Sequence, residues 1–237
     1  MTVTVPAVRP PSVHRVPRAR LVDRLDALRG LARGRRVVDL GFVDEGQMAS
    51  KRSRGSWLHE VLAAEARELV GVDADAYGVE RARALGYEAH AADVERREEI
   101  AGLELEPAEI VVAGELVEHL GRPGDFLEAV KPLVVADGLL VLTTPNAHSL
   151  TNVLGALLGR ELVNPDHVAW LSWRTLATLL GRHGWTLESL AYYRFPRVEG
   201  GALPPRLVFN GYQAVARPLF RWRPNLADGI LTVARLA

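Results

Sequence analysis

RVVDLGFVDEG, residues 36–46, is an apolar run that stops at a polar turn marked by two glycines. Val37, Val38 and Leu40 suit a buried strand of about five residues. Gly41 follows directly, and a glycine at the end of a strand lets the backbone come close to a ligand. Ligands of open α/β sheets gather outside the carboxyl ends of the strands. The turn is therefore the first candidate site. It holds only Gly41 and Gly46, whereas a dinucleotide fingerprint needs three glycines at fixed spacing. That argues against a nicotinamide-dependent oxidoreductase. Taken alone, the stretch also reads as an ordinary tight turn.

Outward from this stretch, short apolar runs alternate with helical patterns. Strands are expected at Glu68–Val72, Glu88–Ala91, Glu109–Ala113, Leu139–Thr143, Thr186–Arg194 and Ile230–Arg235. Helices are expected at Ala19–Leu31, Trp57–Ala66, Tyr77–Leu85, Pro123–Val134 and Ser172–Leu180. Gly86 closes the third of these as a C′ residue, Pro123 opens the fourth and Ser172 caps the fifth. Strands separated by helices mean βαβ units. The fold class is thus α/β and Rossmann-like, a mostly parallel seven-stranded sheet with helices on both faces and a helical lid or insert. Residues 1–18, rich in proline, read as a flexible arm, and 19–237 as one domain. The connections 144–171 and 196–229 are long enough to be lids or inserts, the latter before the last strand.

The 237 residues are 48% hydrophobic, enough for a full core. The formal net charge is zero, so a general electrostatic grip on nucleic acid is not expected. There is no cysteine, which excludes disulfides, Cys-ligated zinc and thiol nucleophiles. No apolar run is long enough to span a bilayer and no targeting signal stands out, so a cytoplasmic protein is expected.

Three further places carry chemistry. Asp73 ends the strand LVGVD (69–73), where a carboxylate can accept from both hydroxyls of a ribose or else cap the next helix. Asp93, followed by Val94, sits just after the next strand, where a carboxylate can accept from an adenine amino group while its neighbour packs on the ring. The stretch VVAGELVEHL (111–120) then opens from a strand into a loop with two carboxylates and an imidazole. On a helical turn, Glu115, Glu118 and His119 would share one face. They read as a general base, as a divalent-metal site suited to magnesium or manganese, or as a pair that organises the loop.

In this order the motifs resemble class I S-adenosylmethionine-dependent methyltransferases, and within them the ubiquinone-biosynthesis type of O-methyltransferase. The matching strings are VVDLG (37–41), VGVDAD (70–75), AAD (91–93), IVVAGELVEHL (110–120), DFLEAVKPLV (125–134), DGLLVLTTPN (137–146) and HVAWLSWRTLATLLGRHGW (167–185). The resemblance implies that Asp39, Gly41 and Phe42 approach the methionine end of S-adenosylmethionine. It implies that Asp73 and Ala74 hold the ribose, that Asp93 and Val94 lie by the adenine, and that Gly114 and Glu115 face the sulfonium. The resemblance also implies a divalent ion held, as in some relatives, through the string Glu115–His119. The sequence departs from the family in its first turn, where Phe42 and Asp44 interrupt the usual glycine series. It also carries a longer polar segment, GQMASKRSRGS (46–56), before Trp57, which is suited to folding over the cofactor or an acceptor.

If the acceptor is a hydroxyl, a base helps, and imidazole titrates near neutrality. His119 is the first candidate and His167 the second. A sugar or secondary metabolite would suit the polar site. Asn146 is expected to hold either the acceptor or its own loop. Residues 206–223 read as an amphipathic helix that covers the site or meets a second subunit, which leaves a homodimer open. The weakened glycine turn motivates an alternative, a degenerate methyltransferase fold that binds without turnover.

Overall fold

The computed structural model describes residues 13–44, 46–196 and 203–237, the last stretch with its side chains from 210 onward. Strand β1 (Arg20–Val22) leads into α1 (Arg24–Ala32), which Asp23 caps by accepting from the Asp26 amide. There follow β2 (Arg36–Leu40), α2 (Met48–Ser53), α3 (Leu58–Ala63), β3 (Glu68–Asp73), α4 (Ala76–Ala84), β4 (Glu88–Ala91), α5 (Arg97–Gly102) and β5 (Ala108–Gly114). The second half comprises α6 (Pro123–Ala129), β6 (Val134–Pro145), α7 (Leu150–Leu157), α8 (Trp173–Arg182), β7 (Trp185–Tyr193), α9 (Leu203–Trp222) and β8 (Gly229–Leu236).

The strands form one sheet in the order β1-β7-β8-β6-β5-β2-β3-β4. Neighbours are parallel except β8, which runs antiparallel to both β6 and β7. This is the expected Rossmann-like architecture, with eight strands in place of seven. The added strand is β1, whose leucine spacing suggests the start of a helix. Its three residues instead pair with Ala191–Tyr193 and cover the edge of β7, whose backbone would otherwise stand open.

Alternation along the strands sends side chains to two opposite layers. Val38, Leu40, Val70, Val72, Val111 and Leu140 belong to one apolar cluster, which α6 and α8 close with Phe126, Leu127, Leu176 and Leu180. Val37, Ile110, Val112 and Val141 belong to the other, which α1 and α3 close with Leu28, Ala32, Leu58 and Leu62. Each such side chain contributes about 1.5–3 kcal/mol when fully buried.

Several elements differ from the sequence reading for local reasons. The helix expected over Pro123–Val134 ends at Ala129, because Pro132 offers no amide to continue it. A 3₁₀ turn over Lys131–Leu133 follows, and Val134 already belongs to a strand. The segment 46–56 contains α2 rather than only loop. The two long connections carry helices as expected: 144–171 contains α7, and 196–229 contains α9, whose Ala216 and Phe220 pack on Tyr192 and Ile230. Helix α8 starts after Ser172 as expected, with Thr175 completing a capping box. Residues 1–12 of the expected arm and 197–202 of the expected insert lie outside the described residues. No helix among the described residues is long and apolar enough to cross a membrane.

The chain leaves β2 for β3 and β4 on one side, then returns through β5 on the other side of β2. The carboxyl ends of β2 and β5 therefore border a topological switch point, where such sheets open a crevice.

Candidate active site

That crevice is a cleft of about 990 Å³, within the size range of small-molecule sites. Gly41 forms its floor, with φ of +69°, and donates its amide to Val72 O at 2.8 Å. A Cβ at this position would stand 2.7 Å from Leu116 Cδ1. The bulky residues after it are received elsewhere. Phe42 packs over Gly71, where a Cβ would lie 2.8 Å from the ring, and Val43 packs over Gly78, where a Cβ would lie 2.1 Å from Val43 Cγ1. Glycines on β3 and α4 thus leave room for these two side chains of the turn.

Asp73 lines the cleft at the end of β3. One carboxylate oxygen accepts from the Val43 amide at 2.9 Å, the other from the Asp75 amide at 2.9 Å. Burial pushes its acidity toward a higher pKa, and these two amides oppose the shift. The cap of α4 is Asp75, not Asp73. Each Asp73 oxygen keeps a lone pair for a ligand. Ala74, Asp93 and Val94 continue the same wall. The Asp93 carboxylate accepts from the Glu95 amide and pairs with Arg96 at 3.2 Å, so it is already partnered.

Glu115 opens the opposite wall, at φ of +55°. Its amide donates to Thr143 O at 2.9 Å and Thr143 Oγ1 at 3.1 Å. Its carboxylate accepts from the buried Tyr193 hydroxyl, for which Gly229 leaves the space. Burial raises the Tyr193 pKa well above the usual phenol value, and Glu115 adds to this. Arg24 donates from Nε to Thr143 Oγ1 at 3.1 Å and reaches the space beside Gly114. Burial works against its charge, but Glu115 and other nearby anions outweigh it and raise its pKa.

A 3₁₀ turn over Val117–His119 carries the chemistry next along the chain. Glu118 is 1% exposed, and neither of its carboxyl oxygens has a hydrogen-bond partner among the described residues. Burial first, and the charge of Glu115 second, push its pKa up to about 8. His119 stands at the mouth, its Nδ1 3.2 Å from Asp166 O. A carbonyl only accepts, so Nδ1 donates, which leaves Nε2 as the acceptor nitrogen of the neutral tautomer. His167 crosses His119 edge-on with ring centroids 4.7 Å apart. Burial and the neighbouring His119 lower the His167 pKa, which favours the neutral ring. One ligand atom from each of Glu118, His119 and His167 lies within 4.8 Å of the other two, a donor set able to hold a metal ion. Glu115 is not part of that group, since its carboxylate turns to Tyr193. The common helical face expected for Glu115, Glu118 and His119 does not form, because the positive φ at Glu115 breaks the turn.

The cleft brings together Gly41, Asp73, Ala74, Asp93, Val94, Glu115, Glu118, His119 and His167. Three expected residues do not line it. Asp39, within β2, turns its buried side chain to His59 Nδ1 at 3.0 Å, and burial raises its pKa against that bond. Phe42 is in the core with Trp57 and Val79. Gly114 faces Leu58 and Arg24. Asn146 holds its loop, donating to Asn225 O at 2.9 Å and Ala227 O at 2.8 Å. The sequence reading gave no individual role in the site to Arg24, Asp44, Lys51, Leu162 or Phe195. Of these, Asp44, Lys51, Leu162 and Phe195 line the cleft together with Trp170. Only Asp44 and Lys51 carried a signal, a charged residue inside the turn and one of just two lysines in the chain.

Residues 13–190 match a family model described as a methyltransferase domain. A ubiquinone biosynthesis O-methyltransferase of Burkholderia orbicola is 31% identical over 140 residues, which cover 53% of this chain and 58% of that protein. The chain thus matches less than two thirds of the length of this curated relative. Among solved structures, a SAM-dependent methyltransferase from Archaeoglobus fulgidus superimposes with a TM-score of 0.58 at 19% identity, covering 89% of this chain and 90% of the other. The magnesium protoporphyrin IX methyltransferase of Synechocystis PCC 6803, solved with bound SAH, gives 0.55 at 12% identity, covering 90% and 82%. At these identities the two structures speak to the fold.

Proposed function

The chain belongs to the methyltransferase-domain family, and from that premise we propose that it transfers a methyl group from S-adenosylmethionine to a hydroxyl of a small molecule, a sugar or secondary metabolite. The observation that carries the proposal is a single cleft with Gly41 and Asp73 on one wall and His119 and His167 on the other. The residues fit the cofactor. At Gly41 a side chain would press on Leu116, so the glycine lets the first turn and the loop after β5 close together at the cleft. The spare lone pairs of Asp73 suit the two ribose hydroxyls, and Val94 offers an apolar surface beside an adenine. The name of the Burkholderia relative supports oxygen as the methylated atom.

Bound S-adenosylmethionine supplies a methyl group already activated by its sulfonium. The work left to the protein is alignment, exclusion of water and removal of one proton. Trp170, Leu162 and Phe195 form an apolar rim that limits water. His119, with Nδ1 committed to Asp166 O, takes the acceptor proton at Nε2. His167, neutral beside it, serves to orient the acceptor hydroxyl.

A second reading of the same atoms is favoured by the two unpartnered oxygens of Glu118. Glu118, His119 and His167 would hold a divalent cation, which would orient and acidify the acceptor hydroxyl in place of a base. Activity abolished by EDTA and restored by magnesium would select this reading.

Calorimetry with S-adenosylhomocysteine tests the proposal. Saturable binding, followed by methyl transfer to a hydroxylated acceptor from a panel, is the expected result. Absence of binding at millimolar cofactor would leave a fold without the activity.

A further inference from the structure

The segment 46–56 contributes two residues to the cleft, Gln47 and Lys51, that the mechanism above does not use. Lys51, on α2, forms an ion pair with Asp44, and both line the cleft. The two side chains are 31% and 27% exposed, enough for a ligand to reach them. Asp44 is held at φ of +54°, a backbone state that an ordinary side chain adopts at a cost. Helix α2 is fixed in place. Met48 is buried in the cluster of Phe42 and Trp57, and Arg52 pairs with Glu60 of α3 at 3.0 Å. The ammonium of Lys51 is therefore presented beside the first turn by an anchored element. The other lysine, Lys131, pairs with Glu128 and takes no part in the cleft.

An ammonium and a carboxylate in contact form the complement of an α-amino acid, which carries the opposite pair on one carbon. We propose that Asp44 and Lys51 are the receptor for the amino-acid end of S-adenosylmethionine. Lys51 Nζ donates to the α-carboxylate and Asp44 accepts from the α-ammonium, so that one resident ion pair is exchanged for two. The proposal rests on the cofactor reading above and goes further in assigning specificity. The segment that departs from the family pattern makes the site select the whole cofactor over its nucleoside fragment.

The test is calorimetry with two probes on the full chain, S-adenosylhomocysteine and 5′-methylthioadenosine, which lacks the amino-acid end. Lys51→Gln is expected to weaken S-adenosylhomocysteine by roughly tenfold or more, the loss of one charge-assisted bond. Binding of 5′-methylthioadenosine should stay within about twofold on the same reasoning. Lys51→Arg should recover part of the preference, and Asp44→Asn should reduce it. If Lys51→Gln weakens both probes alike, or neither, the assignment is overturned. If the unmodified protein binds neither probe, the cofactor reading itself fails, a result distinct from loss of the preference alone.

Discussion

Replacing Glu118 by glutamine removes a titration from the core of the site while keeping the shape of the side chain. In the folded protein the carboxyl holds its proton up to about pH 8, against an ordinary value of 4.5. Between those limits the folded state binds more protons than the unfolded chain. Unfolding then releases a proton, and stability falls as pH rises from near 4.5 toward 8. The shift spans about 3.5 pH units at about 1.36 kcal/mol each, an upper bound of about 5 kcal/mol. Glutamine does not titrate, so Glu118→Gln should lose none of this. Urea unfolding in EDTA, from about pH 5 to about pH 9, measures the gap. The wild type should lose on the order of 2–5 kcal/mol relative to the variant across that range. Parallel curves would refute the claim that Glu118 is buried as the neutral acid. The same series with magnesium instead of EDTA separates the two readings of the cluster. A cation bound there displaces the proton and stabilises the wild type increasingly as pH rises, whereas curves identical with and without magnesium speak for the base alone.

His119→Ala should lower turnover by about 10²–10⁴-fold, the usual contribution of a general base, with S-adenosylhomocysteine affinity nearly unchanged. Undiminished turnover would move the base to another residue. Asp73→Asn should weaken S-adenosylhomocysteine by roughly ten- to a hundredfold through loss of the charged ribose acceptor, and an unchanged dissociation constant would remove Asp73 from the cofactor site. Gly41→Ala places a side chain at φ of +69°, so thermal unfolding should show a loss of about 1–2 kcal/mol together with weaker cofactor binding. A variant as stable and as competent as the wild type would mean that Gly41 is not the floor of the cleft.

What could be read from the chain was what local pattern controls. The run Val37–Leu40 had to be a central strand, because apolar residues at both parities need cover on both faces. The acids closing β3 and β4 had to point toward the carboxyl edge of the sheet, since topology alone fixes where strand ends lie. Spacing did not say which side of the turn each residue would serve. Asp39 sits next but one to Gly41, yet alternation turns it under the sheet toward His59. Phe42 and Val43 looked like damage to a glycine-rich turn. Their partners, Gly71 and Gly78, lie 29 and 35 residues further on, beyond the reach of any local motif. The same limit hid Arg24, which meets Thr143 across 119 residues, and Tyr193, which meets Glu115 across 78. Bulky residues are thus accommodated in the turn where the surfaces facing them are glycine. By that reasoning Gly71→Ala or Gly78→Ala, which would press on Phe42 or Val43, should weaken S-adenosylhomocysteine binding from outside the site, as calorimetry would show.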